Sequence, residues 1–199
     1  MERLYSALGQ AASVQEAWAS VNFETCSCGS RSRNNESVSY DTVDMSALMT
    51  LSFFCGQCDT LRVFTFDASL FYPRVECLGA VFSNESCRSR LLDPIQYCHI
   101  AFHHSRRVPA DLASLSKDNL EMARWNAEWA LAALVESLKF FDAETLRPHD
   151  GWRTQSAFLF DENPERYARR CLMEQKKILG DVVATIDVLQ QEDFLVSFV

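Results

Sequence analysis

The chain has 199 residues, of which 48% are hydrophobic and 12% aromatic, and its formal net charge is −8. This apolar content is sufficient for a packed core and excludes a disordered chain. The acidic balance argues against broad binding to a phosphate backbone, which needs clustered Lys and Arg, and fits a protein that meets a basic partner.

Residues 1–90 are predicted to form a helix followed by a β-rich part. Leu4, Leu8 and Ala11 recur at helical spacing, which predicts a helix over residues 3–20. Residues 30–37, SRSRNNES, are typical of a polar turn. Alternating or continuous apolar residues then predict strands at 38–42, 45–54, 61–66 and 75–82.

Residues 91–199 are predicted to be helical. Asp93 and Pro94 are typical of a helix start, and that helix should run to about Arg107. Ser116 should cap a longer helix with an inner face of Ala127, Leu131, Leu134, Leu138 and Phe141. A third helix should open at Asn163 and use Tyr167, Cys171, Ile178, Val182 and Leu189 as its buried face. Because no Gly/Ser-rich linker separates 1–90 from 91–199, we expect the two parts to pack as one unit.

The chain is expected to be a cytoplasmic protein. No run of about eighteen apolar residues occurs, so no membrane-spanning helix is expected. The first residues lack a basic region followed by an apolar stretch, so no signal peptide is expected either. In a reducing compartment, cysteines are more often metal ligands or buried thiols than disulfides.

Two close cysteine pairs, in TCSCGS and FFCGQC, give the strongest functional signal. Thiolates suit zinc, and four of them make a closed tetrahedral shell. A glycine beside each pair helps the backbone to turn so that its N–H groups point at the sulfurs. The pattern therefore predicts one structural zinc ion per chain, bound by Cys26, Cys28, Cys55 and Cys58.

The arrangement resembles a zinc ribbon over residues 21–67, although the first pair is Cys-X-Cys and not the usual Cys-X-X-Cys. The resemblance implies two cysteine turns at hairpin ends that share one zinc, and it implies no particular function. Two other interpretations remain: four reduced cysteines without a metal, and a redox Cys-X-X-Cys at 55–58. The fold class predicted is α+β, with an N-terminal helix, a zinc-stapled antiparallel β-layer and a C-terminal helical half.

Other candidate chemistry is weak, so we do not expect an enzyme. His99 and His103 are four residues apart on a predicted helix, but the metalloprotease pattern needs Glu at position 100, which is Ile. The cluster 103–107, HHSRR, could contact an anion or simply place positive charge at a helix end. The six glycines form no phosphate-binding loop.

An acidic segment with aromatic residues is the candidate partner-binding site. Residues 142–165 contain six acidic and two basic residues, a net charge of −4. Trp152, Phe158 and Phe160 lie among them, and aromatic anchors ringed by charge are typical of protein interfaces. The predicted contact residues are Asp150, Trp152, Asp161 and Glu162. The alternative is a solvated connection whose aromatics pack beneath neighbouring helices.

In general character the chain resembles a bacterial immunity protein. That resemblance implies a non-enzymatic, cytoplasmic module that neutralises a cognate toxin by binding it, with a basic toxin domain as partner. Membrane and nucleic-acid partners are not expected. The alternative function is a zinc-ribbon accessory protein that contacts nucleic acid, or a transcription or translation assembly, through Arg31, Arg33 and Arg62. A hydrolase that uses the histidine cluster is a third interpretation.

Overall fold

The computed structural model describes residues 3–43, 46–70, 82, 91–141 and 154–196. The chain divides into two compact units, Met1–Leu92 and Asp93–Val199. The described residues form a four-stranded sheet and five α-helices, which confirms the α+β class. None of the described helices combines the length and apolar character needed to cross a membrane.

The first unit contains the sheet. Its strands are β1 (Arg3–Gln10), β2 (Arg33–Val43), β3 (Ser46–Cys55) and β4 (Leu61–Asp67). They lie in the order β1-β4-β3-β2, with the β2–β3 and β3–β4 pairs antiparallel and the β1–β4 pair parallel. The sheet is therefore mixed. Strand β1 adds a parallel edge strand to the antiparallel layer that the sequence predicted. The strand predicted at 75–82 lies outside the described residues, apart from Phe82.

The N-terminal helix is shorter than predicted. Residues 3–10 form β1, and helix α1 spans Val14–Asn22. Ser13 caps α1, since its hydroxyl accepts a hydrogen bond from the backbone N–H of Glu16 at 3.0 Å. The carboxylate of Glu16 in turn accepts from the backbone N–H of Ala12, so the helix starts at a reciprocal cap.

The core of the first unit lies between α1 and one face of the sheet. Alternate residues of β3 and β4 point inwards, and the rings of Phe53 and Phe64 stack with centroids 5.6 Å apart. Ala17 and Val21 of α1 are fully buried against this face. The alternation predicted for β4 is confirmed, because Arg62, Phe64 and Phe66 are buried while the residues between them are only partly covered.

The second unit is helical. Its α-helices are α2 (Pro94–Ser105), α3 (Lys117–Leu138), α4 (Thr154–Glu162) and α5 (Arg169–Val196), with a 3₁₀ helix at Pro164–Tyr167. Asp93 and Ser116 cap α2 and α3 as predicted. The third helix predicted from Asn163 is a short 3₁₀ turn followed by α5, which continues through Gly180. Helix α4 was not predicted.

The buried faces of α3 and α5 match the predicted ones only in part. On α3, Leu134 is fully buried, whereas Leu131 and Leu138 are only partly covered. Its inner face also contains Leu120 and a row of small residues: Ala123, Ala127, Ala130, Ala133 and Ser137. Among the α5 residues whose burial is described, Leu172, Leu179 and Ile186 are buried. The predicted Val182 and Leu189 are partly covered and pack against the core, whereas Ile178 is 55% exposed. Alanines on one helix let the neighbouring helix approach closely, so the bulky residues need not define the face.

Candidate metal centre

Strand pairing brings the two cysteine turns to the same end of the sheet. The turn with Cys26 and Cys28 precedes β2, and the loop with Cys58 connects β3 to β4. Arg33 near the start of β2 pairs with Cys55 at the end of β3. The antiparallel register therefore places residues 26–30 beside residues 55–60, although about thirty residues separate them in sequence.

The four sulfur atoms form a compact group, and all lie within 4.8 Å of one another. The Sγ atoms of Cys26 and Cys58 are 3.6 Å apart, as are those of Cys28 and Cys55. A tetrahedral zinc with bonds of about 2.3 Å would separate its sulfurs by about 3.8 Å. The donor set and its spacing therefore fit one tetrahedral metal ion.

Each turn is closed by backbone hydrogen bonds. The N–H of Gly29 donates to the carbonyl of Cys26 at 2.8 Å, and the N–H of Asp59 donates to that of Cys55 at 3.0 Å. Gly29 has φ +85°, in the left-handed region that favours glycine. In the second turn Asp59 takes the left-handed position instead, with φ +51°. These turns present two sulfurs each from a short stretch of backbone.

A direct backbone contact joins the two turns. The N–H of Gly56 donates to the carbonyl of Ser32 at 2.8 Å. A Cβ atom at position 56 would overlap the Ser32 side chain, so the close approach requires glycine. The sequence indicated that Gly56 shapes its own turn, but its part in joining the turns depends on a partner 24 positions earlier in the chain.

Backbone N–H groups favour the thiolate form at two of the cysteines. The N–H groups of Gln57 and Cys58 lower the pKa of Cys55 to about 6, and that of Cys28 lowers the pKa of Cys26. At Cys28 the N–H of Ser30 acts in the same direction, but burial and the other three cysteines raise its pKa to about 12. A divalent cation would offset this mutual repulsion and allow all four thiolates to form.

The geometry of the cysteines argues against the redox interpretation. Sulfur separations of 3.6 Å are well above the bond length of a disulfide, about 2.05 Å. A redox Cys-X-X-Cys usually lies at the start of a helix. Here Cys58 is followed by strand β4. A complete four-thiolate shell has no open position for water or substrate, so it suits a structural ion.

The three described histidines, His99, His103 and His104, do not form a second metal group. In the described parts of the chain, the four cysteines are the only set of three or more candidate ligands that lie together. His99 is partly buried and His103 is exposed. His104 instead stacks on Trp129, with ring centroids 5.4 Å apart, and its Nδ1 lies 2.9 Å from the Asn126 side-chain oxygen. No pattern in the sequence indicated this aromatic contact between α2 and α3.

The structure describes only two of the four residues predicted to contact a partner. Asp150 and Trp152 lie outside the described residues. Asp161 and Glu162 are exposed at the end of α4. The structure brings these two carboxylates together with Phe158 on one helix, because residues three and four apart share a face.

The three arginines proposed for a basic face do not form one. Arg62 is only 6% exposed; its guanidinium donates to the carbonyl of Glu24 at 3.1 Å and lies over Phe64. Arg33 is ion-paired with Glu36 at 3.3 Å and donates to Asn22. Only Arg31 projects into solvent. The guanidinium groups of Arg33 and Arg62 both lie over the ring of Phe53, so these two side chains cover the aromatic core beside the cysteine turns.

Comparison with protein-family models, curated proteins and solved structures found no match to this chain.

Proposed function

We propose that the chain is a non-enzymatic protein-binding module that contains one structural zinc ion and neutralises a cognate toxin by binding it. The zinc is supported by the four converging sulfur atoms of Cys26, Cys28, Cys55 and Cys58. Their shell would be saturated by protein ligands, so the ion would stabilise the end of the sheet and leave binding to another surface.

The observation that carries the binding proposal is an exposed aromatic residue among carboxylates on α4. Phe158 is 60% exposed, and Asp161 and Glu162 follow it by three and four residues. Phe160 has a different role, because its ring packs on Tyr167 with centroids 6.1 Å apart. Phe160 therefore anchors α4, whereas Phe158 remains available for a partner. We call Phe158, Asp161 and Glu162 the α4 patch.

The charge of the patch favours a basic partner. The net charge of −8 attracts a cationic protein at long range, and local carboxylates orient it on approach. Surface charges act mainly on the association rate, while a desolvated aromatic anchor acts mainly on dissociation. A toxin that acts on nucleic acid has a basic site, and an acidic binder can occupy that site in place of the substrate.

The binding proposal is also consistent with the environment of Cys98, which does not suit a nucleophile. Cys98 is fully buried, and burial raises the pKa of its thiol to about 12. Its Sγ lies 3.1 Å from the Ser137 hydroxyl. A protonated thiol enclosed in a helical core is suited to packing and not to attack on a substrate.

Reversing the charge of the α4 patch should abolish partner capture. We would immobilise the wild-type protein, an Asp161→Lys/Glu162→Lys variant and a control Glu174→Lys/Asp181→Lys variant, in which two exposed acidic residues of α5 are reversed. From a lysate of the native host, the wild type and the control should retain one partner that the patch variant loses. With that partner purified, the patch variant should associate about tenfold more slowly at low salt.

Phe158→Ala should mainly speed dissociation of the same complex. Equal capture by the wild type and both charge-reversal variants, with their folds intact by circular dichroism, would place the interface elsewhere. Turnover of a small substrate without any partner, abolished by replacing His99 or His103, would contradict the binding proposal as a whole.

A further inference from the structure

The second unit contains a pocket that the proposed function does not use. It has a volume of about 420 Å³, within the range of about 300–1,000 Å³ typical of small-molecule sites. The end of α2, the segment after it, the 3₁₀ helix and α5 form its walls. Its lining includes Phe102, Arg106, Val108, Arg166, Ile178 and Val182.

Two guanidinium groups line this pocket without an acidic partner. Neither Arg106 nor Arg166 forms an ion pair with a carboxylate of the described residues, whereas Arg124 in the same unit contacts both Glu128 and Asp187. The Arg166 guanidinium lies 3.9 Å from the centroid of the Phe102 ring. Stacking uses the flat face of the guanidinium, so its N–H groups remain free to bind an anion in the plane.

His99 of α2 lies close enough to both arginines for their charges to act on it. Burial is the largest cause that lowers the pKa of His99, and the charges of Arg166 and Arg106 lower it further against the opposing effect of Asp93. His99 therefore adds no positive charge at neutral pH. The uncompensated charge belongs to the two arginines.

The wall that α5 contributes to the lining is mostly apolar, with Gln175 as its polar member. Ile178 is 55% exposed, and an exposed large aliphatic residue on this wall offers a surface that a ligand can cover. Leu179 and Val182 of α5 and Leu112 continue the same wall. A free inorganic anion would leave this surface uncovered, and a neutral hydrocarbon would leave the arginines unpaired.

We propose that this pocket binds a small amphipathic carboxylate, with its carboxylate on Arg106 and Arg166 and its aliphatic body on the wall formed by Leu112, Ile178 and Val182. Such a ligand matches both the charged part and the apolar part of the lining. Pairing with two planar guanidinium groups gives the charge-assisted hydrogen bonds that fix its orientation. Burial of its chain against α5 supplies the apolar contribution.

The proposal can be tested by calorimetric titration of the full chain with octanoate, octanamide and inorganic phosphate. Octanoate should bind, and the neutral octanamide and the phosphate should each bind at least about tenfold more weakly, because each lacks one of the two interactions. Arg106→Gln should weaken octanoate binding about tenfold or more. Arg107→Gln is the matched control, because this exposed arginine is adjacent in sequence but does not line the pocket.

Arg166→Lys keeps the charge and loses the planar fork, so it should bind octanoate more weakly than the wild type but better than Arg166→Gln. Ile178→Gln should weaken octanoate and leave the melting temperature unchanged, since the side chain is largely exposed. Equal affinity for octanoate and octanamide, an equal loss in Arg107→Gln and Arg106→Gln, or no octanoate binding by the folded wild type would each overturn the proposal.

Discussion

Replacing Cys55 by Ser is expected to lower the melting temperature of the first unit by more than about 10 °C. Cys55 is the last residue of β3, and its sulfur belongs to the group of four. A serine hydroxyl is a harder and far less acidic ligand than a thiol, so the shell would be left incomplete. Because the ligands converge only in the folded chain, the lost metal-binding free energy is lost folding free energy.

The matched control is Cys171→Ser, which makes the same chemical change at a partly exposed cysteine outside the metal centre. Scanning calorimetry should show this control melting within a few degrees of the wild type, because substitutions away from buried features have small effects. A Cys55→Ser protein as stable as the wild type would mean that the four sulfurs carry no metal that stabilises the fold.

Replacing Leu134 by Ala should lower the free energy of unfolding by about 2–5 kcal/mol. Leu134 is fully buried, and the alanines of the same face cannot move far to fill the space that it leaves. The loss combines the transfer free energy of the removed atoms with the cost of the remaining cavity. Urea unfolding followed by circular dichroism would measure the change, since the helices of this unit dominate that signal.

Met122→Ala on the same helix is the control, because Met122 is 60% exposed and its truncation should change the free energy of unfolding by less than about 0.5 kcal/mol. Leu131→Ala and Leu138→Ala should lie between the two, as their side chains are partly covered. An equal loss at Leu131 and Leu134 would support the helix face predicted from the sequence instead of the face in the structure.

The four-cysteine site was predictable because its signal is local. Short cysteine spacing, adjacent glycines and flanking alternation each indicate a turn that presents thiols between strands, and the structure brings the four sulfurs together. The contact between Gly56 and Ser32 was not predictable, because it depends on the register of β2 against β3. The helix starts at Asp93 and Ser116 were also local signals, since a capping side chain acts within its own first turn.

Strand β1 was mispredicted as part of a helix, because the spacing of its apolar residues is compatible with either a helix or a strand. Leu4, Leu8 and Ala11 are four and three residues apart, which matches a helix, but residues 3–10 pair in parallel with β4. Long-range pairing decided the outcome, as is common for short segments with weak periodicity. Gly9 was the available warning, since glycine is unfavourable inside a helix and here has φ +108° beside a shift in strand register.

The helix faces of the second unit were only partly predicted, because most of the alanines of α3 were left out of its expected inner face. The inner face of α3 is rich in alanine, so the largest side chains did not mark it. On α5, Leu172, Leu179 and Ile186 repeat every seven residues, whereas the predicted face contained the exposed Ile178. Helix α4 was missed because the acidic residues of this segment suggested a loop.

The central claim is that Cys26, Cys28, Cys55 and Cys58 bind one zinc ion, and elemental analysis of the chain purified without chelator tests it most directly. The account predicts about one zinc per wild-type chain, about one in Cys171→Ser, and a large loss in Cys55→Ser. A wild-type chain without zinc, unable to take up added Zn²⁺ under reducing conditions, would contradict it. Full retention of zinc by the Cys55→Ser chain would contradict it equally.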